Sequence, residues 1–375
     1  MEEEPVGACS RLVAVVSSEF GSEYDLGVSP RTAVDLFSGA GGTTQGLRDA
    51  GYEVIAAVEN DATAAKTYEA NHPSTALLIR DIRRVQAPAL AHRLNLSERP
   101  LDLLTACPPC QPFSTLGTGE VADPRNALVS SVARFVEHLR PRTILLENVP
   151  GLRSEPRFLR LVDALSADYK MSEYVVQAAD FGVPQSRRRV ILLCVNESMD
   201  VDPPENLIAA LPTSFDNSPR VAADALHLAA GLDSAVDAAH RARRPQPKTL
   251  ERIRMIKPGG GRLQLSKELE LACHSKLGQK NATSIYGRID PAKPAPTMTT
   301  RCTTPSCGRF VHPTEDRGLT LREAALFQTF PLGYKFEGSY GDIERQIGNA
   351  VPPKLAEALG LVVNGLLDSA VPGAG

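Results

Sequence analysis

A chain of 375 residues with 42% hydrophobic content is long enough to bury one large α/β domain and a smaller one beside it. The apolar patch at Leu12 to Val16 is too short for a signal-peptide core or a membrane span, and seven thinly spread cysteines suit free thiols in a reducing compartment rather than a disulfide framework. The net charge of -3 neither demands nor excludes nucleic acid, so the expectation is an intracellular two-domain protein with no membrane segment.

Residues 1–30 show no clear period and read as an N-terminal tail. At Thr32 a strand begins (TAVDLF) and runs into Ser38-Gly39-Ala40-Gly41-Gly42, after which Thr43 to Ala50 suits a helix. Strand, glycine turn and helix in that order aim backbone N–H groups at a ligand. The next strand, VIAAV at 54–58, ends in Glu59, about twenty residues past the first glycine, where a carboxylate can bind ribose hydroxyls. Gly39 and Gly41 satisfy G-x-G, but the third position is Thr44. The turn is therefore either an ordinary tight turn or a nucleoside site without a pyrophosphate, and adenosine with a short amino-acid tail, as in S-adenosylmethionine, suits it better than a dinucleotide. Thr63 to Asn71 reads as helix, and Ala76 to Ile79 as a third strand delivering Asp81, which either accepts from an adenine amino group or caps the next turn.

The apolar run Leu101 to Thr105 reads as a buried strand that Pro108 and Pro109 terminate, which leaves Cys110 just past a strand's carboxyl end, the edge where ligands gather in open α/β sheets. A thiol there is a candidate nucleophile. Cys107 and Cys110 also make a C-x-x-C, open to a redox or half-zinc reading. No second pair stands at zinc spacing among Cys9, Cys194, Cys273, Cys302 and Cys307, and the prolines disfavour the helix a thioredoxin-like motif would open. The loop Pro112 to Arg125, with Gly117 and Gly119, is a candidate to close over a ligand.

An amphipathic helix follows from Asn126 to Leu139, with Leu128, Val132, Phe135, Val136 and Leu139 on one side. The strand TILLE at 143–147 ends in Glu147, an acid that is either a turn former or a pocket residue facing the thiol. Tyr174 to Ala178 and Val190 to Val195 read as two more strands, and strand alternation between them would aim Arg187 and Arg189 the same way. From about Val201 prolines replace strand signals, which marks a linker and a second domain. Eight Lys or Arg between Arg241 and Arg262 face Glu251 alone, either an ordinary solvated surface or basic loops suited to phosphates. Thr320 to Glu323 forms a capping box opening a helix through Phe327, and Gln346 to Pro353 precedes a last helix to about Leu367.

Taken in order, these segments resemble the DNA (cytosine-5) methyltransferase family. DLFSGAGG (35–42) is similar to its cofactor loop, PPCQPFS (108–114) to its nucleophile motif, ENVPG (147–151) to its acid motif and QSRRR (185–189) to its Q-x-R-x-R motif; LTLREAALFQTFP (319–331) and QIGNAVPP (346–353) resemble its last two. The resemblance implies an α/β, Rossmann-like S-adenosylmethionine-dependent methyltransferase fold with a mixed, mostly parallel sheet and a smaller target-recognition domain. The expected layout is a tail at 1–30, a catalytic domain at 31–200, target recognition at 201–335, and a segment at 336–375 returning to the catalytic domain. S-adenosylmethionine would be held by Phe37, Gly39, Gly41, Glu59, Asn60, Asp81, Ile82, Pro109, Leu128, Asn349 and Val351. The target base would meet Cys110, Glu147, Arg187 and Arg189. One departure is Ala106-Cys107-Pro108, where many members carry glycines.

The chemistry so implied is attack of the Cys110 thiolate on carbon 6 of a flipped-out cytosine in double-stranded DNA, with Glu147 at N3 and the amino group, and methyl transfer to carbon 5, with no metal required. A monomer in the bacterial cytoplasm or nucleoid is expected, and a companion restriction endonuclease acting on the same site is a partner this class admits. The competing readings are the tRNA-methylating branch of the family, a catalytically silent DNA-binding relative, and a nicotinamide oxidoreductase, which the absent third glycine argues against.

Overall fold

A strand buried at every position must be covered on both faces, and β1 (Thr32–Leu36) is such a strand, even at Thr32 and Asp35. The structure, a computed structural model, describes residues 29–109, 127–274 and 281–370; nearly all of the expected tail at 1–30 lies outside them. From β1 the chain passes through α1 (Gly42–Asp49), β2 (Glu53–Glu59), α2 (Ala62–Asn71), β3 (Ala76–Ile79) and α3 (Ala87–Arg93). It then forms β4 (Leu103–Ala106), α4 (Ala127–Leu139), β5 (Thr143–Asn148), α5 (Pro156–Leu165) and β6 (Tyr169–Gln177). The short strand β7 (Gln185–Ser186) leads into β8 (Arg188–Asn196).

Seven of these strands make one sheet in the order β3-β2-β1-β4-β5-β8-β6, parallel from β3 to β5 and antiparallel around β8. This is the mostly parallel mixed sheet expected from the sequence. After β1 the chain builds outward to β2 and β3, then returns to lay β4 on the other side of β1. The loops that leave β1 and β4 therefore diverge from neighbouring strands, which opens a crevice at their carboxyl ends. α4 turns the predicted stripe of Leu128, Val132, Phe135, Val136 and Leu139 into the core on one face of the sheet, Leu128 half-buried and the other four buried.

The remaining elements are α6 (Ala222–Ala229), α7 (Pro247–Met255), the two-residue β9 (Ala295–Pro296), α8 (Leu321–Phe327), α9 (Tyr340–Asn349) and α10 (Pro353–Ser369). α10 returns to cover the second face of the main sheet through Leu355, Leu359, Val362 and Val363. It crosses α1 so closely that small residues are obligatory. A Cβ on Gly46 would lie 2.1 Å from the Pro353 carbonyl oxygen, and one on Gly42 would lie 2.4 Å from that of Val351. Thr44, which stands where a dinucleotide fingerprint has its third glycine, turns inward instead; its hydroxyl donates to Asp35 (2.7 Å) and lies 2.8 Å from the Tyr68 hydroxyl.

Between α6 and α8 little regular structure forms, and the backbone carbonyls of these loops need donors from elsewhere. Buried arginines supply them, since one guanidinium carries five N–H groups. Arg288 donates to the carbonyls of Ile253, Ile256, His312 and Glu315 and to Asp316. Arg262 donates to Asn281 and Ala282, and Arg252 to Leu269. The basic run is thus of two kinds: Arg252 and Arg262 are buried supports for the loop backbone and Arg254 pairs with Asp316, whereas Arg241, Arg243, Arg244, Lys248 and Lys257 are exposed.

Two predictions follow from this packing. Gly46→Ala forces a methyl into a carbonyl and should cost about 3 kcal/mol, read as a lowered thermal midpoint; an unchanged midpoint would mean that α10 can shift away. Asp35 is fully buried and its Oδ1 lacks a hydrogen-bond partner, and desolvation pushes its carboxyl up to about 7. The folded value lies above the unfolded one, so the acid's contribution is fully present below pH 4 and is lost as pH rises toward 7. Asp35→Asn should therefore gain stability relative to wild type across pH 4 to 7, by at most about 4 kcal/mol. Chemical denaturation at several pH values reads this, and a difference that stays flat across the window would exclude titration of Asp35 there.

Candidate active site

The crevice between β1 and β4 collects the loops that the sequence marked. Leu36 pairs with Ala106 across the two strands, so the glycine turn and the Cys107-Pro108-Pro109 segment leave the sheet side by side. β5 lies next, with Leu146 opposite Ala106, and delivers Glu147 and Asn148 to the same edge. Asn148 is buried, and its side-chain amide donates to the Pro108 carbonyl (2.9 Å) while its oxygen accepts from Val149 N (2.9 Å). That bond ties the proline loop to the acid strand. Asn148 did not figure among the expected site residues, although its place inside ENVPG was the available signal. Cys110 and the loop Pro112 to Arg125 lie outside the described residues; Pro109, half-buried, is the last described residue before them.

Glu147 does not stand alone at this edge. Arg189 Nε on antiparallel β8 lies 2.7 Å from Glu147 Oε1, and both side chains are nearly enclosed, at 11% and 13% exposure. A guanidinium this close to the carboxylate places positive charge at the crevice beside Glu147.

Arg187 takes a different course from the expected one of pointing with Arg189 into the same pocket. β7 breaks from the main sheet to pair with β9, so strand alternation is interrupted between the two arginines. Arg187 is buried and donates instead to the carbonyls of Met298 (3.1 Å) and Ala350 (2.9 Å). Gln185 does related work: its amide donates to Phe327 O and Gln328 Oε1 and accepts from Met298 N. The QSRRR segment therefore splits between one residue at the crevice and two that join β7 to the later loops.

On the β1 side the expected cofactor residues converge. Glu59 is buried at the end of β2, and its carboxylate accepts from Gly39 N (2.8 Å), Asn60 N (2.8 Å) and Asp61 N (2.7 Å). Desolvation nonetheless raises its pKa above the ordinary carboxylate value, those three bonds opposing the shift. Phe37 and Gly39 adopt left-handed backbone with φ near 62° and 54°, and Phe37, Leu128 and Ile82 share one apolar cluster. Asp81 caps the turn Ile82–Arg84 and grips Arg83, the capping alternative foreseen for it. Val351 reaches the turn through its carbonyl against Gly42, while Asn349 ends α9 exposed. Behind Gly41, where a Cβ would meet His72 and Tyr334 at 2.7 Å, the Tyr334 hydroxyl donates to Ala40 O and lies 2.9 Å from His72 Nε2. Burial holds His72 down to about 4, so the imidazole is neutral.

Cys107 and Glu147 share the lining of a mainly apolar cavity of about 20 Å³, room for one water. Desolvation, with the Glu147 and Asp35 charges adding to it, pushes this thiol well above its ordinary value, so it is a poor thiolate.

A mostly parallel sheet with a glycine turn and an acid-bearing strand at its switch point is that of a Rossmann-like methyltransferase. The chain belongs to the C-5 cytosine-specific DNA methylase family, whose sequence profile matches residues 31–364, and its enzyme class is DNA (cytosine-5) methyltransferase. It is 33% identical to the Type II methylase M.HgiDII of Herpetosiphon aurantiacus, over 89% of this chain and 95% of that protein. It is also 34% identical to the Type II methyltransferase M.PspPI of Psychrobacter, over 94% and 85%. Among solved structures, one described as a prophage-encoded DNA modification methyltransferase of E. coli superposes with a TM-score of 0.70 at 25% identity, covering 90% of this chain and 99% of that one. The S. pombe Dnmt2 methyltransferase shares the fold with a TM-score of 0.58 at 17% identity, over 90% and 98%.

Proposed function

We propose that this enzyme methylates carbon 5 of cytosine at a specific site in double-stranded DNA, using S-adenosylmethionine, through a transient bond between Cys110 and a flipped-out base. The observation that carries the reading is the Glu147–Arg189 pair, held at the end of β5 beside a proline loop that Asn148 anchors one residue from Pro109 and two from Cys110.

The β1 edge suits the cofactor. Gly39 has open space where a side chain would stand, the buried Ser38 hydroxyl lacks a hydrogen-bond partner, and Glu59 presents a carboxylate with capacity beyond its three backbone donors. Phe37, Gly39, Gly41, Glu59, Asn60, Asp81, Ile82, Pro109, Leu128, Asn349 and Val351 are the residues we assign to it. When bound, S-adenosylmethionine supplies an electrophilic methyl group.

Carbon 5 of cytosine is a weak nucleophile until the ring is attacked at carbon 6. Cys110 supplies that attack as a thiolate, favoured by the positive charge of Arg189. Glu147, beside Arg189, bonds N3 and the exocyclic amine, so that the ring accepts electron density. Arg187 supports this arrangement from behind by fixing the carbonyls of Met298 and Ala350. Loss of the carbon 5 proton and departure of Cys110 then restore the aromatic ring. A stacked base is out of reach of such a pocket, so the cytosine must leave the duplex. Residues 201–335 read the site. The Type II names of the relatives support a place in a restriction-modification system. We further propose that the enzyme acts as a monomer in the bacterial cytoplasm.

Duplex DNA carrying 5-fluorocytosine at the target should form a covalent complex with the wild-type enzyme, visible as a denaturation-resistant band, because fluorine cannot leave as a proton. Cys110→Ser should form none; a trapped serine variant would overturn the assignment. Glu147→Gln should lower kcat by about 10² to 10⁴ with DNA binding retained, and near wild-type turnover would remove Glu147 from the mechanism. Mapping 5-methylcytosine in a methylation-free host, with tRNA assayed in parallel, separates DNA from tRNA as substrate.

A further inference from the structure

We propose that the cleft between the segment Leu232–Arg244 and the α8–α9 side of the fold is a sequence-independent seat for the phosphate backbone of duplex DNA, with Arg241, Arg243 and Arg244 as its contacts. The proposal rests on the methyltransferase reading and deepens it. Part of the chain's densest basic run already has partners: Arg252 and Arg262, buried, on carbonyls, and Arg254, at the surface, on Asp316. Arg241, Arg243 and Arg244 differ. All are exposed, and no acid among the described residues lies within ion-pairing distance of any of them.

They line one cleft of about 900 Å³, far more room than a single small anion fills. The wall that carries them is fixed at its root. Asp237 pairs with buried Arg322 at 2.6 Å, and His240 Nδ1 lies 3.2 Å from Thr320 Oγ1. The chain then runs without regular secondary structure from Arg241 to Gln246. On the facing wall the Tyr340 ring lies 3.8 Å beneath the Arg243 guanidinium, which holds that side chain over the cleft while leaving its N–H edge free.

Two acids share the cleft lining, Asp233 and Glu315, and neither pairs with Arg241, Arg243 or Arg244. Glu315 is bound by Arg317, which also bridges to Glu323, and Asp233 accepts from Ala235 N in its own turn. Three cations in four residues, on an anchored support and without acidic partners, meet a repeating anion; duplex DNA, the substrate of this family, presents one charge per about 1.7 Å of axis. Groups that neutralise phosphates carry no sequence information, so they add affinity equally on any duplex.

The test measures the salt dependence of binding to two labelled duplexes, one with the mapped methylation site and one scrambled, together with methylation kinetics. A triple variant (Arg241→Ala, Arg243→Ala, Arg244→Ala) should flatten the log–log salt slope by about 0.9 per lost contact, up to about 3, equally on both duplexes. The KM for DNA should rise about tenfold with kcat unchanged. The matching triple lysine variant should keep the wild-type slope, which also guards against a folding defect. A control that removes exposed charges elsewhere (Lys66→Ala, Arg93→Ala, Arg160→Ala) should keep it too. A wild-type slope in the alanine triple, an equal loss in the control, or a loss seen with tRNA but not with duplex would each overturn the proposal. Absence of methyl transfer to duplex DNA by the wild-type enzyme would instead remove the reading beneath it.

Discussion

Everything at the crevice depends on the lateral pairing of β1 with β4. Parallel neighbours cannot be joined by a tight turn, so the chain reaches β4 only after completing β2, β3 and the helices between them. That detour leaves two loops with unrelated sequences starting from adjacent points, Leu36 and Ala106. A glycine turn suited to a nucleoside and a proline loop leading to a thiol would be separate features in an extended chain. Strand pairing makes them one site, and β5 adds the acid from the next position along.

The sheet and most of the crevice were legible in the sequence because their signals are local. Strand-like stretches rich in apolar residues marked β1, β2, β4 and β5 to within a few residues, and the stripe on α4 held. Glu147 and Arg189 could be placed at an edge because each sits at a strand boundary. What remained hidden was long-range. Nothing near Arg187 announces that β7 leaves the sheet for β9, which redirects that guanidinium onto Met298 and Ala350. Nor does a charge count separate Arg252 and Arg262, committed to carbonyls, from Arg243, lying over an aromatic ring. The bond from Asn148 to Pro108 spans forty residues and exists only because β4 and β5 are neighbours.

The loops after residue 200 show how a region poor in strands and helices is kept in one shape. A ladder satisfies carbonyls by repetition; here single guanidinium groups do so case by case, each binding several turns at once. Arg288 alone gathers four carbonyls and one carboxylate. Such a scheme leaves the outer surface free to vary, because the shape is set from within.

The close crossing of α1 and α10 bears on the order in which the molecule can be completed. One face of the sheet is sealed by a helix that begins at Pro353, more than three hundred residues after the strand it covers. During synthesis the first strands therefore wait with an apolar surface uncovered until that helix leaves the ribosome, a long interval in which the nascent chain depends on transient protection from association. Finishing the core and finishing the glycine turn are then a single late event, since the Val351 carbonyl that packs against Gly42 arrives with the same segment.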